Sequence, residues 1–297
     1  MLNRVDVLCI GQACWDLNFH TECFPRTDEK THAHTLISEG GGPAANASYC
    51  IASWGGKAAF VGSFGKDHFG QKHLYDLKSA GVNVSRTLNS NTDTSLSSIW
   101  VNGEGSRSII NYRDGKETND LDVSGFEPTC LLVDGHEHSA SLKALQEYPN
   151  VPSILDAGSW REETKNLSEK VTYLIASNAF AKDASGSENP EDWIKCLSPN
   201  APYVAITNGP TGVYWKDPKC LKGHIEAAQA FAIDTTGAGD IFHAAFALEI
   251  ASNHSFYGCL CWANAVAGLS VSQYGGRTSC PKPFDLPSLG LLESVPE

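Results

Sequence analysis

The sequence predicts an α/β fold with a mainly parallel central β-sheet and a small second sheet that forms a lid. Short β-rich runs, several of them apolar throughout, alternate with longer amphipathic stretches, which is typical of βαβ units whose strands are covered on both faces. Two polar, β-rich regions interrupt this alternation, and we assign them to the second sheet. The 297 residues include 41% hydrophobic positions, which is enough for a full-sized core and excludes global disorder.

The central sheet and its helices are predicted from hydrophobic periodicity. The strand candidates cover residues 5–10, 58–61, 130–133, 153–155, 172–176 and 203–207. The stretches between these strands carry helical periodicity, and two more helical stretches follow in the last third of the chain. The predicted helices cover residues 44–54, 69–80, 140–148, 191–197, 241–252 and 257–273. Parallel strands joined in this way imply right-handed crossovers.

The small sheet is predicted from residues of about 12–38 and 94–112. In the second region two β-rich runs flank the sequence NGEG at residues 102–105, which is typical of a β-hairpin. We interpret both regions as a lid outside the main sheet, and the alternative is an ordinary edge hairpin. No internal repeat or linker marks a second large domain, so residues 1–297 are expected to form one domain.

The composition argues against several classes of partner and site. Lys and Arg total 22 against 34 Asp and Glu, and the resulting net charge of −12 disfavours binding to nucleic acid or anionic lipid. No apolar run reaches the ~20 residues of a membrane span, and no signal peptide is recognisable. The ten cysteines include no C-x-x-C pair, which favours reduced thiols over disulfides or a zinc site. We therefore expect a cytoplasmic protein.

The most informative motif is DTTGAGD at residues 234–240, between a β-rich run and an apolar helix. Its turn is expected to expose the N–H groups of Gly237, Ala238 and Gly239, which together with the helix dipole form an anion site. An acid at such a site would repel an anion. Asp240 is better explained as a general base that takes a proton from an attacking hydroxyl while the amides stabilise a phosphoryl group in transfer. The alternative is that Asp240 only caps the helix.

A second motif, GGGPAANAS at residues 40–48, places glycines and a proline before a helix of small residues. The glycines let backbone amides face a polar ligand, and Asn46, one turn into the helix, could bond sugar hydroxyls. The motif is neither G-x-G-x-x-G nor a Walker A loop. A flexible hinge with a packing helix is the alternative. Asp16 follows the first strand at its carboxyl end, where α/β proteins bind ligands, although lone acids in loops are usually only solvated.

Together, GGGPAANAS and DTTGAGDIFHAAF resemble the two signatures of the PfkB/ribokinase family of carbohydrate kinases. The sequence GKDHFG at residues 65–70 is similar to that family's G-x-D-x-x-G turn. The resemblance spans nearly the whole chain in the family's order. It implies a ribokinase-like three-layer α/β/α fold with a β-sheet lid over the sugar. It also implies transfer of the γ-phosphoryl group of ATP, with Mg²⁺, to a sugar hydroxyl.

The resemblance also implies roles for individual residues. Asp240 would be the general base, and Gly237, Ala238 and Gly239 would form the anion hole. The sugar hydroxyls would be held by Asp16, Gly41, Gly42 and Asn46. The nucleotide would lie along Thr207, Gly209 and Gly212, with Asn264 near the adenine. A monovalent cation such as K⁺ would lie near Asp234, Gly275 and Ser279.

One departure from the family pattern concerns Mg²⁺. Family members often carry an N-x-x-E motif that helps to order the metal and the phosphates. This chain keeps Asn178, which we retain as a nucleotide-site candidate, but has Ala181 where the glutamate would fall. A catalytically idle family member that serves as a binding protein is therefore an alternative to an active kinase.

The substrate is predicted from weaker resemblances. The region SRSIINYRDG, followed by LLVDGH, resembles ketohexokinase-like, fructokinase-like and sulfofructose-kinase-like members more than nucleoside kinases. Asn111 and Lys30 would reach the sugar from the lid. An anionic sugar would need a fork-shaped arginine, for which Arg107 and Arg113 are candidates. His136 stands where relatives with anionic sugars place an arginine, so we favour a neutral ketose such as fructose.

The lid also predicts a homodimer, because a thin two-sided sheet leaves apolar surface uncovered. We expect two lids to pack face to face. The residues predicted to fill this interface are Ile99, Val101, Ile109 and Tyr112.

Overall fold

The computed structural model describes residues 2–113 and 120–286. The predicted single domain of residues 1–297 also covers Met1, 114–119 and 287–297, which lie outside this description. The strands are β1 Asn3–Ile10, β2 Cys14–His20, β3 Thr35–Gly41, β4 Ala58–Val61, β5 Ser63–Gly65, β6 Leu88–Ser90, β7 Ser95–Val101, β8 Arg107–Tyr112, β9 Phe126–Val133, β10 Ser153–Ala157, β11 Tyr173–Ser177, β12 Tyr203–Thr207, β13 Val213–Lys216 and β14 Lys222–Ile225. The helices are α1 Pro43–Ser53, α2 His68–Ser79, α3 His138–Glu147, α4 Glu162–Ser168, α5 Asn178–Ser185, α6 Pro190–Leu197, α7 Ala238–Ala251 and α8 Phe256–Ser270.

The central sheet has eight strands in the order β14-β13-β12-β11-β10-β9-β1-β4. The six strands from β12 to β4 are parallel, and β13 and β14 extend the sheet antiparallel at one edge. The parallel strands are apolar because helices cover both faces of the sheet. This arrangement confirms the predicted mainly parallel α/β sheet, and all six predicted strands lie in it.

The helices form two outer layers around the sheet. Side chains that alternate along β1 show the division, because Val7 and Cys9 belong to one apolar cluster and Leu8 and Ile10 to the other. The first cluster contains residues of α1, α2, α7 and α8, whereas the second contains residues of α3, α4, α5 and α6. The fold is therefore three-layered, with the sheet between two apolar cores.

The small sheet is separate and has the strand order β3-β2-β7-β8. Strands β2 and β7 are parallel, and the other two pairs are antiparallel. The predicted hairpin joins β7 to β8, where the N–H of Asn102 donates to the carbonyl of Ser106 and Gly105 has a φ of 75°. The two predicted β-rich regions thus supply all four strands.

Some elements were not predicted. These are helices α4 and α5, which span only seven and eight residues. Strands β13 and β14 are partly exposed and carry lysine and histidine, so they lack the apolar run of a buried strand. The last predicted helix ends at Ser270 rather than at residue 273.

Part of the predicted dimer interface is wrong, as the positions of its residues on the two faces of the small sheet show. Ile99 and Val101 are 3% and 1% exposed, so both are already buried within the chain. Ile109 pairs with Ile99 in the register and shares its inner face. Tyr112 lies on the opposite, outer face together with Ile110, and both are more than half exposed. Burial within one chain removes Ile99 and Val101 from any interface, which the strand pattern alone could not reveal.

Among the described residues, no helix has both the length and the apolar composition needed to span a membrane. All ten cysteines lie in the described part of the chain and are free thiols.

Candidate active site

The candidate site lies at the carboxyl ends of the parallel strands, where the small sheet approaches the first turn of α7. Asp134 follows β9 there, and its carboxylate accepts hydrogen bonds from the N–H groups of Gln12 at 2.9 Å, Ala44 at 3.2 Å and His136 at 2.9 Å. These bonds join the end of β1, the start of α1 and the loop after β9. Asp134 therefore sets the relative positions of three segments that carry predicted site residues.

The turn before α7 is shaped by Asp234 and Gly237. The carboxylate of Asp234 accepts from the N–H of Thr236 at 2.8 Å and from the N–H of Gly275 at 2.9 Å. Gly237 has a φ of 73°, and a Cβ there would lie 2.7 Å from the Cα of Gly276. The N–H of Ala238 donates to the carbonyl of Thr235 at 3.4 Å, whereas no hydrogen bond from the N–H of Gly237 or Gly239 occurs within the described part of the chain. Unpaired N–H groups at the start of a helix favour an anion, and the anion site at DTTGAGD stays a prediction.

Asp240 lies in the first turn of α7, half-buried beside this anion site. Its Oδ2 accepts a hydrogen bond from Nδ2 of Asn46 at 2.7 Å. Burial and the nearby Asp156 raise the pKa of Asp240 to about 7, although Asn46, His243 and Arg107 favour the charged form. A carboxylate with such a pKa can exchange a proton near neutral pH, which suits a general base.

Asn46 uses both ends of its amide inside the protein. While Nδ2 donates to Asp240, Oδ1 accepts from Nε of Arg277 at 2.8 Å. The side chain is 4% exposed. Contact with a sugar hydroxyl, the predicted role of Asn46, would share these groups and stays a prediction.

The predicted sugar residues around the second motif do come together. Asp16 on β2 is buried, and its carboxylate fills the space where a Cβ of Gly41 would stand, 2.1 Å away. Burial raises the pKa of Asp16, and hydrogen bonds from Ser97 and Cys14 oppose the rise. Gly42 precedes α1 with a φ of 98°, where a Cβ would meet the carbonyl oxygen of Gln12. Glycine is thus required at both positions.

The other three predicted sugar residues lie at the rim. Asn111 on β8 is exposed and pairs with Ser97 in the register, on the same face of the small sheet as Asp16. Lys30 is exposed in the loop between β2 and β3, away from any regular element. His136 is half-buried, and its Nδ1 lies 2.7 Å from Nη1 of Arg113.

A small polar cleft opens beside this pair. Hydroxyl groups of Ser63, Thr94 and Ser95 line it together with Arg113 and Glu137. Such a lining suits a ligand rich in hydroxyl groups.

The predicted nucleotide residues gather after β11 and β12. Thr207 ends β12, and a tight turn follows in which the N–H of Asn208 donates to the carbonyl of Gly212 at 2.7 Å. Nδ2 of Asn178, at the start of α5, donates to Oδ1 of Asn208 at 2.8 Å. Gly209 and Gly212 have positive φ, and a Cβ on Gly212 would lie 2.0 Å from the carbonyl oxygen of Ile225. Asn264 is on α8, further along this side, where its Nδ2 donates to the carbonyl of Glu226.

The position where the family pattern would help to bind Mg²⁺ differs from the residues predicted to bind a monovalent cation. In the described ranges, no group of three or more His, Cys, Asp or Glu side chains could hold a metal ion. Ala181 is fully buried among apolar side chains and offers nothing to Mg²⁺, so the ATP phosphates and water would supply most of its ligands. The carboxylate of Asp234 accepts from the N–H of Gly275, and the hydroxyl of Ser279 donates to the carbonyl of the adjacent Gly276. A monovalent cation at these two residues stays a prediction.

Several site residues were not predicted. Asp156 ends the apolar run of β10 at the same sheet edge, and its Oδ2 lies 3.3 Å from Nδ1 of His243 on α7. Burial and the nearby Asp134 raise the pKa of Asp156 to about 8. The position of Asp156, an acidic residue near the end of an apolar strand, could have identified it from the sequence. Nothing local distinguished Arg277, whose partner Asn46 is 231 positions away.

The small sheet closes over the anion site through its hairpin. Nη1 of Arg107 donates to the carbonyl of Thr235 at 2.8 Å, and the hydroxyl of Thr235 donates to the carbonyl of Gly105 at 3.4 Å. One nitrogen of Arg107 is therefore engaged by the turn before α7.

Comparisons with known proteins show what the chain as a whole is similar to. A family model described as pfkB family carbohydrate kinase matches residues 4–283. The chain is 27% identical to mouse ribokinase, with 95% of this chain and 93% of that protein covered. It is also 27% identical to mouse ketohexokinase, with 92% and 98% covered. The solved structure of Arabidopsis thaliana ribokinase complexed with ribose and ATP superposes with a TM-score of 0.81 at 25% identity, covering 98% of this chain and 100% of that one.

Proposed function

The chain belongs to the pfkB family of carbohydrate kinases, and from this premise we propose that it transfers the γ-phosphoryl group of ATP to a hydroxyl of a neutral ketose such as fructose. The observation that carries this proposal is the position of Asp240. It lies in the first turn of α7, which follows Gly237 and includes Ala238 and Gly239, the residues whose N–H groups we propose as the anion site. A base and an anion site therefore meet at one point of the molecule.

The proposed reaction is an in-line displacement at phosphorus. Asp240 takes the proton of the acceptor hydroxyl, and the resulting oxygen forms a bond to the γ-phosphorus. The bond between that phosphorus and the β,γ-bridging oxygen breaks, and ADP leaves. The N–H groups at the start of α7 stabilise the negative charge on the phosphoryl oxygens during the transfer.

The nucleotide would lie along the turn after β12. Thr207, Gly209 and Gly212 line this turn, Asn178 is bonded to it through Asn208, and Asn264 stands further along for the adenine. Mg²⁺ would neutralise charge on the phosphates, bound mainly by phosphate oxygens and water. We also retain a monovalent cation such as K⁺ at Asp234 and Ser279 as a prediction.

The hydrogen bonds between Arg113 and His136 support a neutral sugar. Its Nη1 bonds Nδ1 of His136 at 2.7 Å, and its Nη2 donates to the carbonyl of His136 at 3.2 Å. A guanidinium can only donate, so Nδ1 is unprotonated and the neutral ring keeps an Nε2–H for a hydroxyl. Burial lowers the pKa of His136, which also favours the neutral ring. Asp16 and Asn111 would take further hydroxyls.

An anionic sugar, such as a sulfonated or phosphorylated ketose, is the second candidate. Arg113 favours it, because the same guanidinium lines the polar cleft and could form a bidentate pair with an anionic group.

A coupled assay of ADP release across a sugar panel tests the proposal. The panel contains fructose and other neutral ketoses, ribose, fructose 6-phosphate, a sulfofructose and adenosine, each with ATP and Mg²⁺. We expect the highest kcat/KM for a neutral ketose and a loss of several orders of magnitude in Asp240→Asn. A preference for the anionic sugars would replace the neutral substrate with the second candidate. No ADP with any sugar from a protein that still binds ATP would reject the kinase and support an idle binding protein.

A further inference from the structure

Arg277 is a buried cation in an unusual environment. The residue is 6% exposed, and within the described part of the chain no carboxylate lies within ion-pair distance of its guanidinium. Its Nε donates to Oδ1 of Asn46 at 2.8 Å, and its Nη2 contacts Nε2 of His73. The ring of Tyr49 lies 5.2 Å from the guanidinium carbon.

The third nitrogen, Nη1, has no hydrogen-bond partner among the residues that the structure describes, and it is held in space that a glycine leaves open. A Cβ on Gly40 would stand 2.1 Å from it, so any larger residue at position 40 would displace the guanidinium. Burying a charge without an ionic partner is costly. Glu39 and Asp16 favour the charge only from a longer distance. A contribution to stability therefore does not by itself explain why an arginine is buried at this position.

The chemistry of the guanidinium determines which way the amide of Asn46 points. Arginine nitrogens only donate hydrogen bonds, so the group that faces Nε of Arg277 must be the amide oxygen. The amide nitrogen is then directed at Oδ2 of Asp240, at 2.7 Å. If the amide of Asn46 were flipped, its NH₂ group would face the N–H of Arg277, and its oxygen would face the carboxylate of Asp240. Both contacts would be repulsive.

We propose that Arg277 is a positioning residue for phosphoryl transfer, which orients the amide of Asn46 so that Asn46 holds one oxygen of the base Asp240. The other carboxylate oxygen then stays directed at the acceptor hydroxyl. The inference rests on the proposed function, because it assigns to Arg277 an effect on the base that this function requires.

The loop around Arg277 is anchored independently of Asn46. Glu39 on β3 accepts from the N–H of Gly276 at 2.6 Å, and from the N–H and hydroxyl of Thr278 at 3.0 and 2.8 Å. Removing the guanidinium should thus leave the loop attached to the small sheet. This separation makes an effect on Asp240 distinguishable from loss of the loop.

A double-mutant cycle tests the proposal in the full chain. We expect Arg277→Met to lower kcat about 10- to 100-fold, since small displacements of a reacting group have effects of this size, and to leave the KM for ATP within about twofold. Because Arg277 acts through Asn46, adding Arg277→Met to Asn46→Ala should change kcat less than about twofold further. Thr278→Ala is the matched control, which loosens the same loop without touching Asn46 and should keep kcat.

The pH profile gives a readout that a purely structural role would not move. Loss of the Asn46 hydrogen bond disfavours the charged form of Asp240, so the acidic limb of kcat/KM should shift to higher pH in Arg277→Met. The other charged groups that face Asp240 are Asp156 from β10, His243 from α7 and Arg107 from β8, and the variant leaves all three in place. Melting curves accompany each variant, and Arg277→Lys, which keeps the charge but not the fork, replaces Arg277→Met if the latter does not fold.

The outcomes separate this inference from the proposed function. Wild-type kcat in Arg277→Met, additive losses in the double variant, or an unshifted acidic limb would overturn the role of Arg277. If Asp240→Asn itself kept wild-type turnover, the proposed base would be wrong and the failure would lie with the function. An inactive Asp240→Asn beside a fully active Arg277→Met would reject the inference alone.

Discussion

At the scale of single residues, the site combines carboxyl groups that burial makes harder to ionise. The pKa of Asp240 is raised to about 7 and that of Asp156 to about 8, in both cases first by burial and then by a neighbouring acid. A base with a pKa near the working pH accepts a proton readily and can still be found unprotonated. In the proposed reaction, the anion site acts on the phosphoryl group, while Asp240 acts on the acceptor.

The raised pKa predicts how activity depends on pH. Asp240 must be unprotonated to act as a base, so kcat/KM should decrease as the pH falls through about 7. Measured from pH 5.5 to 9 with saturating ATP and limiting sugar, the profile should show one acidic limb. Asp240→Asn serves as the control and should lack this limb at its much lower rate. Activity in the wild-type protein that stays constant down to pH 5.5 would contradict the assignment of Asp240.

At the scale of elements, the turn before α7 depends on one backbone conformation. Gly237 adopts a φ of 73°, and a side chain there would collide with the backbone of Gly276. At Gly239, two positions later, a Cβ would have no atom within 4 Å among the described residues, apart from the neighbouring backbone of its own helix. The two glycines of one motif therefore differ, because a side chain would collide with the backbone at position 237 and would meet open space at position 239.

Alanine substitutions should separate these two purposes. Gly237→Ala should lower the free energy of unfolding by about 1–3 kcal/mol because of the strained φ and the backbone clash, and should reduce turnover by moving the anion site. Gly239→Ala, the matched control, should raise the free energy of unfolding by about 0.5–1 kcal/mol, as alanine does in helices. Urea unfolding of both variants measures the difference. Equal stabilities would show that the turn tolerates a side chain at position 237.

At the scale of the whole molecule, the two faces of the small sheet differ in what they carry. The inner face carries Asp16 and Asn111 toward the site, and Arg107 from this sheet bonds the turn before α7. The outer face exposes Leu36, Ile110 and Tyr112, each more than half accessible. An exposed apolar face of this kind is typical of an interface, and we predict that two copies of the chain pack through it.

Light scattering tests this homodimer. The wild-type protein should have twice the 31.9 kDa mass of one chain, and Ile110→Lys should reduce the mass to that of a monomer, because a charge would have to be buried in the interface. Leu221→Lys alters an equally exposed apolar residue outside the small sheet and should leave the mass unchanged. A monomeric wild-type protein at micromolar concentration would contradict the prediction.

What could be predicted from the sequence depended on how local each feature is. The helix that begins at Ala238 and the turn before it lie within a few residues of one another, so glycine chemistry and apolar periodicity sufficed for both. The parallel sheet followed from apolar strands and amphipathic helices in alternation. The two β-rich regions similarly predicted the small sheet. For these features, the preferences of neighbouring residues already favour the observed structure.

The sequence by itself thus determined the fold class, the position of the anion site and the identity of the candidate base. Only the tertiary structure decided how that base is held. Asn46 and Asp240 are 194 positions apart, and Arg277 is 231 positions from Asn46. It also decided that Ile99 and Val101 are buried within the chain. The physical reason is that such contacts depend on which faces of distant elements pack together, and no local preference encodes that choice.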